Sequence, residues 1–227
     1  MVSPNNPTGS YLRRKELAAL DRVCSRQDLA LIVDEVFSDF VAEEAAPDRM
    51  ETTLNRTEAL TFVLNGFSKL LALPQMKLGW IAISGDIGRV RAASSRLEAI
   101  LDFYLSVGTP IQRAAPALLG LRSMIQSQIQ NRLGVNHRYL KAETDSTANC
   151  RVLGREGGWY GVVDFSDAVT DEDRVLQLLA RDHTLVHPGY FYDFHREGFV
   201  VVSLMPPPNR FAAGIDRLMA RFGSAGQ

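Results

Sequence analysis

The stretch Leu29-Ala30-Leu31-Ile32-Val33-Asp34-Glu35 is a continuous apolar run that ends in two acidic residues. An apolar run without polar alternation is typical of a strand that is buried on both faces of a parallel sheet. Two further runs, over residues 60–64 and 78–83, end in Asn65-Gly66 and Ser84-Gly85. The segments between the three runs are long enough for crossover connections, so the sequence predicts an α/β fold.

Helical patterns accompany these strands. Leu17, Leu20 and Cys24 fall on one stripe ahead of the first strand, and residues 87–144 keep a helical pattern that is interrupted near residues 106–110. We therefore predict a long helical region that follows the third strand and leads into the last part of the chain.

The last part of the chain combines strands with two helices. Residues 159–165, 185–186 and 199–204 are predicted as strands, and Thr170 and Asn209 are predicted as helix N-caps. Asp173 is the capping-box partner of Thr170, and the final helix has an apolar stripe of Phe211, Ile215, Leu218 and Phe222. We predict three parts: residues 1–115, a linking helix over residues 116–148, and a small domain over residues 149–227.

Composition and charge exclude several classes of protein. The chain has 227 residues, of which 46% are hydrophobic, which is too many for intrinsic disorder. Its 25 basic and 26 acidic side chains are evenly mixed, so we expect neither nucleic acid nor a membrane as a partner. There is no apolar run of roughly 18 residues and no signal-peptide pattern at the start, so we expect a cytoplasmic protein.

A metal site is not predicted. Cys24 and Cys150 are too few for a disulfide framework and lack the spacing of metal ligands. His183 and His187 are four residues apart, but no pattern of Cys, Asp or Glu accompanies them.

Three polar residues follow predicted strands or turns: Asn6, Asp34 and Lys69. In open α/β sheets, ligands bind at the carboxyl ends of the strands. Taken singly, each residue has an ordinary structural interpretation as a turn residue, a helix cap or a solvated charge. Their conjunction, in this order along the chain, favours a ligand site.

The motifs around these residues resemble those of the fold-type I pyridoxal-phosphate aminotransferases of class I and II. They are Asn6-Pro7-Thr8-Gly9, Asp34-Glu35-Val36 and Phe67-Ser68-Lys69, followed by Lys77-Leu78-Gly79. The resemblance implies an incomplete, mainly parallel sheet from the large domain of that fold, together with a small α+β carboxy-terminal domain. It also implies pyridoxal 5'-phosphate as cofactor, a small-molecule amino donor and a 2-oxo acid as substrates, a biosynthetic role and a homodimer.

The resemblance assigns a role to each matching residue. Lys69 is similar to the lysine whose amine binds the cofactor aldehyde covalently and then moves the substrate proton. Asp34 is similar to the carboxylate that pairs with the protonated pyridine nitrogen, and Asn6 to the amide that donates to the ring oxygen. Lys77 falls where the family usually has an arginine that grips the phosphate. Ser68, which adjoins Lys69 in the motif, is also predicted to bind the cofactor.

The chain departs from the family at several positions. Phe37 stands where the family commonly has a tyrosine that contacts the ring oxygen, although we still count Phe37 with the cofactor site. Gly66 replaces a phosphate-contacting serine, and Val201 occupies the position of the arginine that clamps the substrate carboxylate. Arg196 and Arg210 flank that strand, and either of them is a candidate to replace the lost clamp; a solvated surface arginine is the alternative interpretation.

The resemblance further implies that a substantial amino-terminal part precedes the Asn6 turn in the family. We therefore expect a truncated chain whose sheet has an unpaired edge and an uncovered apolar face. The leading hypothesis is an aminotransferase. The alternatives are another fold-type I reaction such as that of a C–S lyase, and a catalytically silent remnant that acts as a folding or dimerisation partner.

Overall fold

The computed structural model describes residues 1–223, which form two compact units. The first unit comprises Met1–Asn5 and Ser10–Ser127, and the second comprises Asn6–Gly9 and the chain from Gln128 onward. The predicted division into residues 1–115, 116–148 and 149–227 stays a prediction.

The first unit is built on a three-stranded sheet with helices before and after it. Its elements are α1 (Arg14–Arg26), β1 (Leu31–Asp34), β2 (Thr61–Gly66), α2 (Phe67–Leu70), β3 (Gly79–Ser84), α3 (Ile87–Leu101) and α4 (Thr109–Gly120). Helix α5 (Arg122–Asp145) begins in this unit, and the division between the two units falls within it.

The sheet has the order β1-β2-β3 and is mixed. Strands β1 and β2 are parallel, with Ile32 beside Phe62, whereas β2 and β3 are antiparallel, with Gly66 beside Gly79. The link between β2 and β3 contains only the short α2 and a 3-10 turn over Pro74–Met76. No helix crosses the sheet there, so the chain reverses direction and the crossover predicted for this link is wrong.

Strand β1 is packed on one face only. Leu31 and Val33 are buried in a core with Leu17 and Cys24, with Leu20 packed against it, so the predicted stripe of α1 is confirmed. Ile32, on the other face, is 57% exposed. The prediction that β1 is buried on both faces is therefore wrong, because no described element covers the face that carries Ile32.

Helix α4 covers a second core in the first unit. Phe67, Leu70 and Leu71 are buried, and α4 packs against them with Ile111 and Leu118. Helix α3 buries none of its residues. The segment that begins at its end is strongly exposed, and its apolar side chains are Ile100, Leu101, Phe103, Tyr104 and Leu105.

The second unit is an antiparallel sheet with three helices. Its elements after α5 are β4 (Cys150–Val152), β5 (Tyr160–Phe165), α6 (Asp171–Asp182), β6 (His187–Pro188), β7 (Phe199–Ser203) and α7 (Pro208–Phe222), and the sheet order is β4-β5-β7-β6. β4 was not predicted. The strand predicted at residues 185–186 forms two residues later, where Pro188 is tolerated because β6 is an edge strand.

The two helix starts predicted for this unit had different outcomes. The Thr170 cap is confirmed, since its hydroxyl oxygen accepts the Asp173 N–H at 3.1 Å. The Asn209 cap is wrong, because α7 begins at Pro208 with Pro207 as its N-cap. Proline is favoured at the first helical position, where its missing N–H costs no hydrogen bond. The predicted apolar stripe of α7 is buried as expected.

Candidate functional site

One edge of the sheet in the first unit carries most of the predicted site residues. Because β1 and β2 are parallel and β3 runs the other way, the ends of β1 and β2 share an edge with the start of β3. Asp34 closes β1, Lys69 follows β2 in α2, and Lys77 lies two residues ahead of β3. Ser68 and Phe37 belong to the same edge.

Lys69 stands on a short helical turn that is well anchored. The N–H of Phe67 donates to the carbonyl oxygen of Leu78 at 2.9 Å, and the Phe67 ring is fully buried. The Nζ atom of Lys69 lies 5.4 Å from the centroid of the Phe37 ring, within the range of a cation–π contact. The structure therefore brings Phe37 and Lys69 together, although the sequence predicted this only through the family motif.

Lys69 also differs in burial from every other lysine of the chain. The four lysines are Lys15, Lys69, Lys77 and Lys141, and all of them lie in the described part of the chain. Lys69 is half-buried, whereas the other three are exposed. A half-buried amine at a sheet edge is a position from which a nucleophile can be held in one orientation.

The two acids that end β1 have different surroundings. Glu35 is buried, and its Oε1 accepts hydrogen bonds from the N–H and the hydroxyl of Thr53 at 2.7 and 2.8 Å. Asp34 is half-buried, and its Oδ1 accepts the Val36 N–H at 3.0 Å. Its Oδ2 accepts no hydrogen bond from residues 1–223. Glu35 thus supports the loop, and Asp34 keeps a carboxylate oxygen available for a ligand.

Lys77 supplies an exposed positive charge at the same edge. It ends the 3-10 turn in a left-handed conformation, with φ of 50°. Its ammonium group makes no ion pair with any residue that the structure describes. The charge is therefore available to an anion, without the bidentate geometry that an arginine would provide.

The backbone packing around position 66 leaves no room for a residue larger than glycine. A Cβ atom at this position would lie 2.8 Å from the carbonyl oxygen of Leu78 and 2.9 Å from the Cα of Gly79. A serine therefore does not fit here unless β2 and β3 move apart. The close approach of residues 78 and 79 thus requires glycine at position 66.

Asn6 belongs to the second unit with the rest of its turn, Asn6–Gly9. The Asn6 side chain is exposed. Gly9 has φ of +73°, and a Cβ atom there would collide with the carbonyl oxygen of Gly157. The turn therefore requires glycine at this position. The structure gathers Asp34, Phe37, Ser68, Lys69 and Lys77 in one unit and assigns Asn6 to the other.

Val201 lies in an apolar face of the second sheet. It pairs with Val162 and His187 and is buried in a cluster with Val162 and Phe199. Arg196 belongs to this face, since its guanidinium carbon lies 4.3 Å from the Phe199 ring centroid. Its Nη2 donates to Oδ1 of the buried Asp164 at 2.6 Å, so this arginine is already committed to an ion pair.

Arg210 lies on the opposite face of β7. It lines a cavity together with Val202, and alternate residues of a strand point to opposite faces. The structure therefore does not bring Arg210 to Val201, and the hypothesis that Arg210 replaces the lost carboxylate clamp is not supported by this geometry.

Sequence reasoning missed a polar pair within the aromatic segment after His187. The Nδ1 atom of His187 lies 2.9 Å from the hydroxyl oxygen of Tyr192, and burial raises the pKa of that tyrosine. The only available signal was the spacing of two polar aromatic residues around Pro188-Gly189. No group of three potential metal ligands lies together in the described chain, and none of its helices is long and apolar enough to cross a membrane.

Comparisons with known proteins agree on one family. The family model described as aminotransferase class I and II matches residues 1–216. The chain is 26% identical over 220 residues to an LL-diaminopimelate aminotransferase of Chlamydia pneumoniae, covering 95% of this chain and 54% of that protein. It is 26% identical over 229 residues to a valine–pyruvate aminotransferase of Mycobacterium tuberculosis, covering 99% and 55%.

The structural comparison gives the same fold. A crystal structure of an aminotransferase from Mycobacterium tuberculosis superposes with a TM-score of 0.81 at 25% identity, covering 98% of this chain and 56% of that one. The chain thus spans about half the length of the curated relatives it matches.

Proposed function

The chain belongs to the class I and II aminotransferases, and from this premise we propose that it serves the transfer of an amino group from an amino donor to a 2-oxo acid. The family works with pyridoxal 5'-phosphate, which supplies an aldehyde that binds amines and a ring that accepts electron density. The donor, the acceptor and the biosynthetic role are part of this proposal.

The observation that carries the proposal is the position of Lys69. It is the one half-buried lysine of the chain, and it stands directly after β2 on a turn anchored by buried Phe67. A primary amine held in this way can bind an aldehyde and, when released, take a proton from carbon and return it to another atom.

The other groups at this edge fit the remaining parts of the cofactor. The Asp34 carboxylate has an oxygen available to pair with a protonated ring nitrogen, and a charge pair of this kind keeps the nitrogen protonated. The Lys77 ammonium offers a positive charge to a phosphate group. Asn6, Phe37 and Ser68 remain proposed cofactor-binding residues on the resemblance of their motifs.

We further propose that the protein forms a homodimer and that it is located in the cytoplasm. The apolar side chains between Ile100 and Leu105 support association with a second copy, because large exposed apolar patches mark interaction sites.

The test uses chemical trapping on the 227-residue chain. The chain is incubated with millimolar pyridoxal phosphate, reduced with borohydride and digested, and the adducts on its four lysines are quantified by mass spectrometry. We expect Lys69 to carry most of the adduct, because Asp34 and Lys77 hold the cofactor beside it. A Lys69→Arg variant removes that signal, whereas the exposed Lys141→Arg serves as the matched control.

Equal labelling of all four lysines, or preferential labelling of Lys77, would contradict the assignment. Two alternatives remain, of which the labelling experiment tests the first and a product assay tests the second. A catalytically silent partner chain predicts no preference for Lys69. A C–S lyase shares the labelling of Lys69 and is distinguished by ammonia and 2-oxo acid release from a β-thio amino acid.

A further inference from the structure

A cavity of about 390 Å³ in the second unit has no role in the proposed function. It lies between α7, the end of β7 and the segment that joins α6 to β6. Its volume is at the lower end of the range for small-molecule sites. Most of its wall is apolar and comes from Val186, Val202, Phe211, Ile215 and Leu218.

Gly214, in the middle of α7, lines the cavity. Glycine lowers helix stability relative to alanine, so its presence in a helix interior calls for a reason. A Cβ atom on Gly214 would lie 3.6 Å from Cγ2 of Thr184, which is ordinary van der Waals contact. A larger side chain at this position would extend into the space between α7 and the segment around Thr184.

Two arginines stand at the cavity wall and give it a positive rim. Nη1 of Arg217 donates to the carbonyl oxygen of Asp182 at 3.2 Å, which fixes the guanidinium beside the cavity. Arg210 makes no hydrogen bond or ion pair with residues 1–223. An unpaired arginine beside an apolar wall is suited to the head group of an anionic ligand.

The carboxylates of Asp182 and Asp216 nearby are hydrogen-bonded to residues other than Arg210 and Arg217, so they reduce the positive charge of the rim without pairing with it. Asp182 accepts a hydrogen bond from Nη2 of Arg221 at 2.8 Å, and Asp216 accepts one from the Tyr139 hydroxyl. The hydrogen bond from Arg221, together with attraction from Arg217 and Arg181, lowers the pKa of Asp182. His183 is the other titratable side chain at the wall.

We propose that this cavity binds a small monocarboxylate with a medium-length aliphatic chain. The chain would lie against the apolar wall, and the carboxylate would pair with Arg210 and Arg217. This inference does not depend on the aminotransferase proposal, since it involves neither Lys69 nor the sheet of the first unit.

The first experiment titrates octanoate into the 227-residue chain with labelled methyl groups and follows the signals of Val186 and Leu218 by NMR. We expect saturable shifts, and an affinity for octanol that is about tenfold lower, because a hydrogen-bonded charge pair contributes this much. Arg210→Gln should weaken octanoate binding by about threefold to fivefold, because Arg210 is exposed, and should leave octanol unchanged. Arg26→Gln, at an exposed position of α1 in the first unit, is the control and should have no effect.

The second variant tests the cavity itself. Gly214→Leu fills the space while favouring the helix, so we expect both ligands to lose binding and the circular dichroism spectrum to stay the same. The proposal is overturned by shifts that do not saturate, by equal affinities of octanoate and octanol, or by unchanged binding to a folded Gly214→Leu variant.

Discussion

At the scale of single residues, substitution of Asp34 tests whether this edge of the sheet takes part in the reaction. Asp34→Asn keeps an oxygen that can accept the Val36 N–H, so the loop after β1 should be retained while the negative charge is lost. In a form of the protein that catalyses transamination, we expect the turnover number to fall roughly 10³-fold, or ~4 kcal/mol of transition-state stabilisation. Steady-state kinetics measure this effect.

The control for this change is Glu35→Gln in the neighbouring position. Glu35 binds Thr53 and not the proposed ligand, so its substitution should lower stability more than turnover. A loss of activity below tenfold in Asp34→Asn would mean that Asp34 is a strand-end charge without a role in the reaction.

At the scale of secondary-structure elements, the N-terminus of α6 is capped by the hydroxyl group of Thr170. Thr170→Ala removes the acceptor of the Asp173 N–H, and the loss of such a cap costs about 1 kcal/mol of unfolding free energy. Urea denaturation of the variant and of Thr170→Ser, which keeps the hydroxyl, measures the difference. Equal destabilisation by both substitutions would show that packing, and not the cap, is responsible.

The elements that follow strict periodicity could be predicted from the sequence. The stripes of α1 and α7 were predicted correctly because a helix repeats every 3.6 residues whatever surrounds it. The direction of β3 was not predicted correctly, because it depends on how the link after β2 folds. The exposure of Ile32 was not predicted either, because it depends on which other residues cover that face of the sheet.

The candidate site could likewise be predicted only in part. Asp34 and Lys69 follow apolar runs, so the sequence alone brings them to one sheet edge once the strands are assigned. Lys77 reaches the same edge only because β3 is antiparallel to β2, which the sequence did not predict. The approach of Lys69 to the Phe37 ring depends on side-chain positions, which no spacing rule provides. Strand alternation puts Val201 and Val202 on opposite faces of β7, but the placement of Arg210 beside Val202 depends on how α7 packs.

At the scale of the whole molecule, the sheet edge has few positively charged groups that could bind a phosphate. Lys77 is the one basic side chain besides Lys69 within residues 35–41 and 67–78 at the sheet edge, and a solvent-exposed ion pair contributes about 1 kcal/mol or less. We therefore expect the 227-residue chain to bind pyridoxal phosphate only weakly and to show no transamination.

Absorbance titration of the chain with the cofactor, followed by an assay with 2-oxoglutarate and a panel of amino acids, measures both properties. Lys77→Gln should weaken the residual binding further, whereas Lys15→Gln on α1 should not change it. Tight binding with turnover would contradict this expectation and would mean that another element of the chain, or a second copy, completes the site.

The exposed residues after α3 also determine where the chain is vulnerable to cleavage. Phe103, Tyr104 and Leu105 are 89%, 69% and 103% exposed and lie outside regular secondary structure. A protease of the chymotrypsin type cuts after such side chains wherever the backbone is accessible, and exposed segments of this kind are the preferred sites of nicking. The rate of cleavage at this segment therefore reports whether the segment is accessible. If cleavage slows when another polypeptide is added, that polypeptide covers the segment.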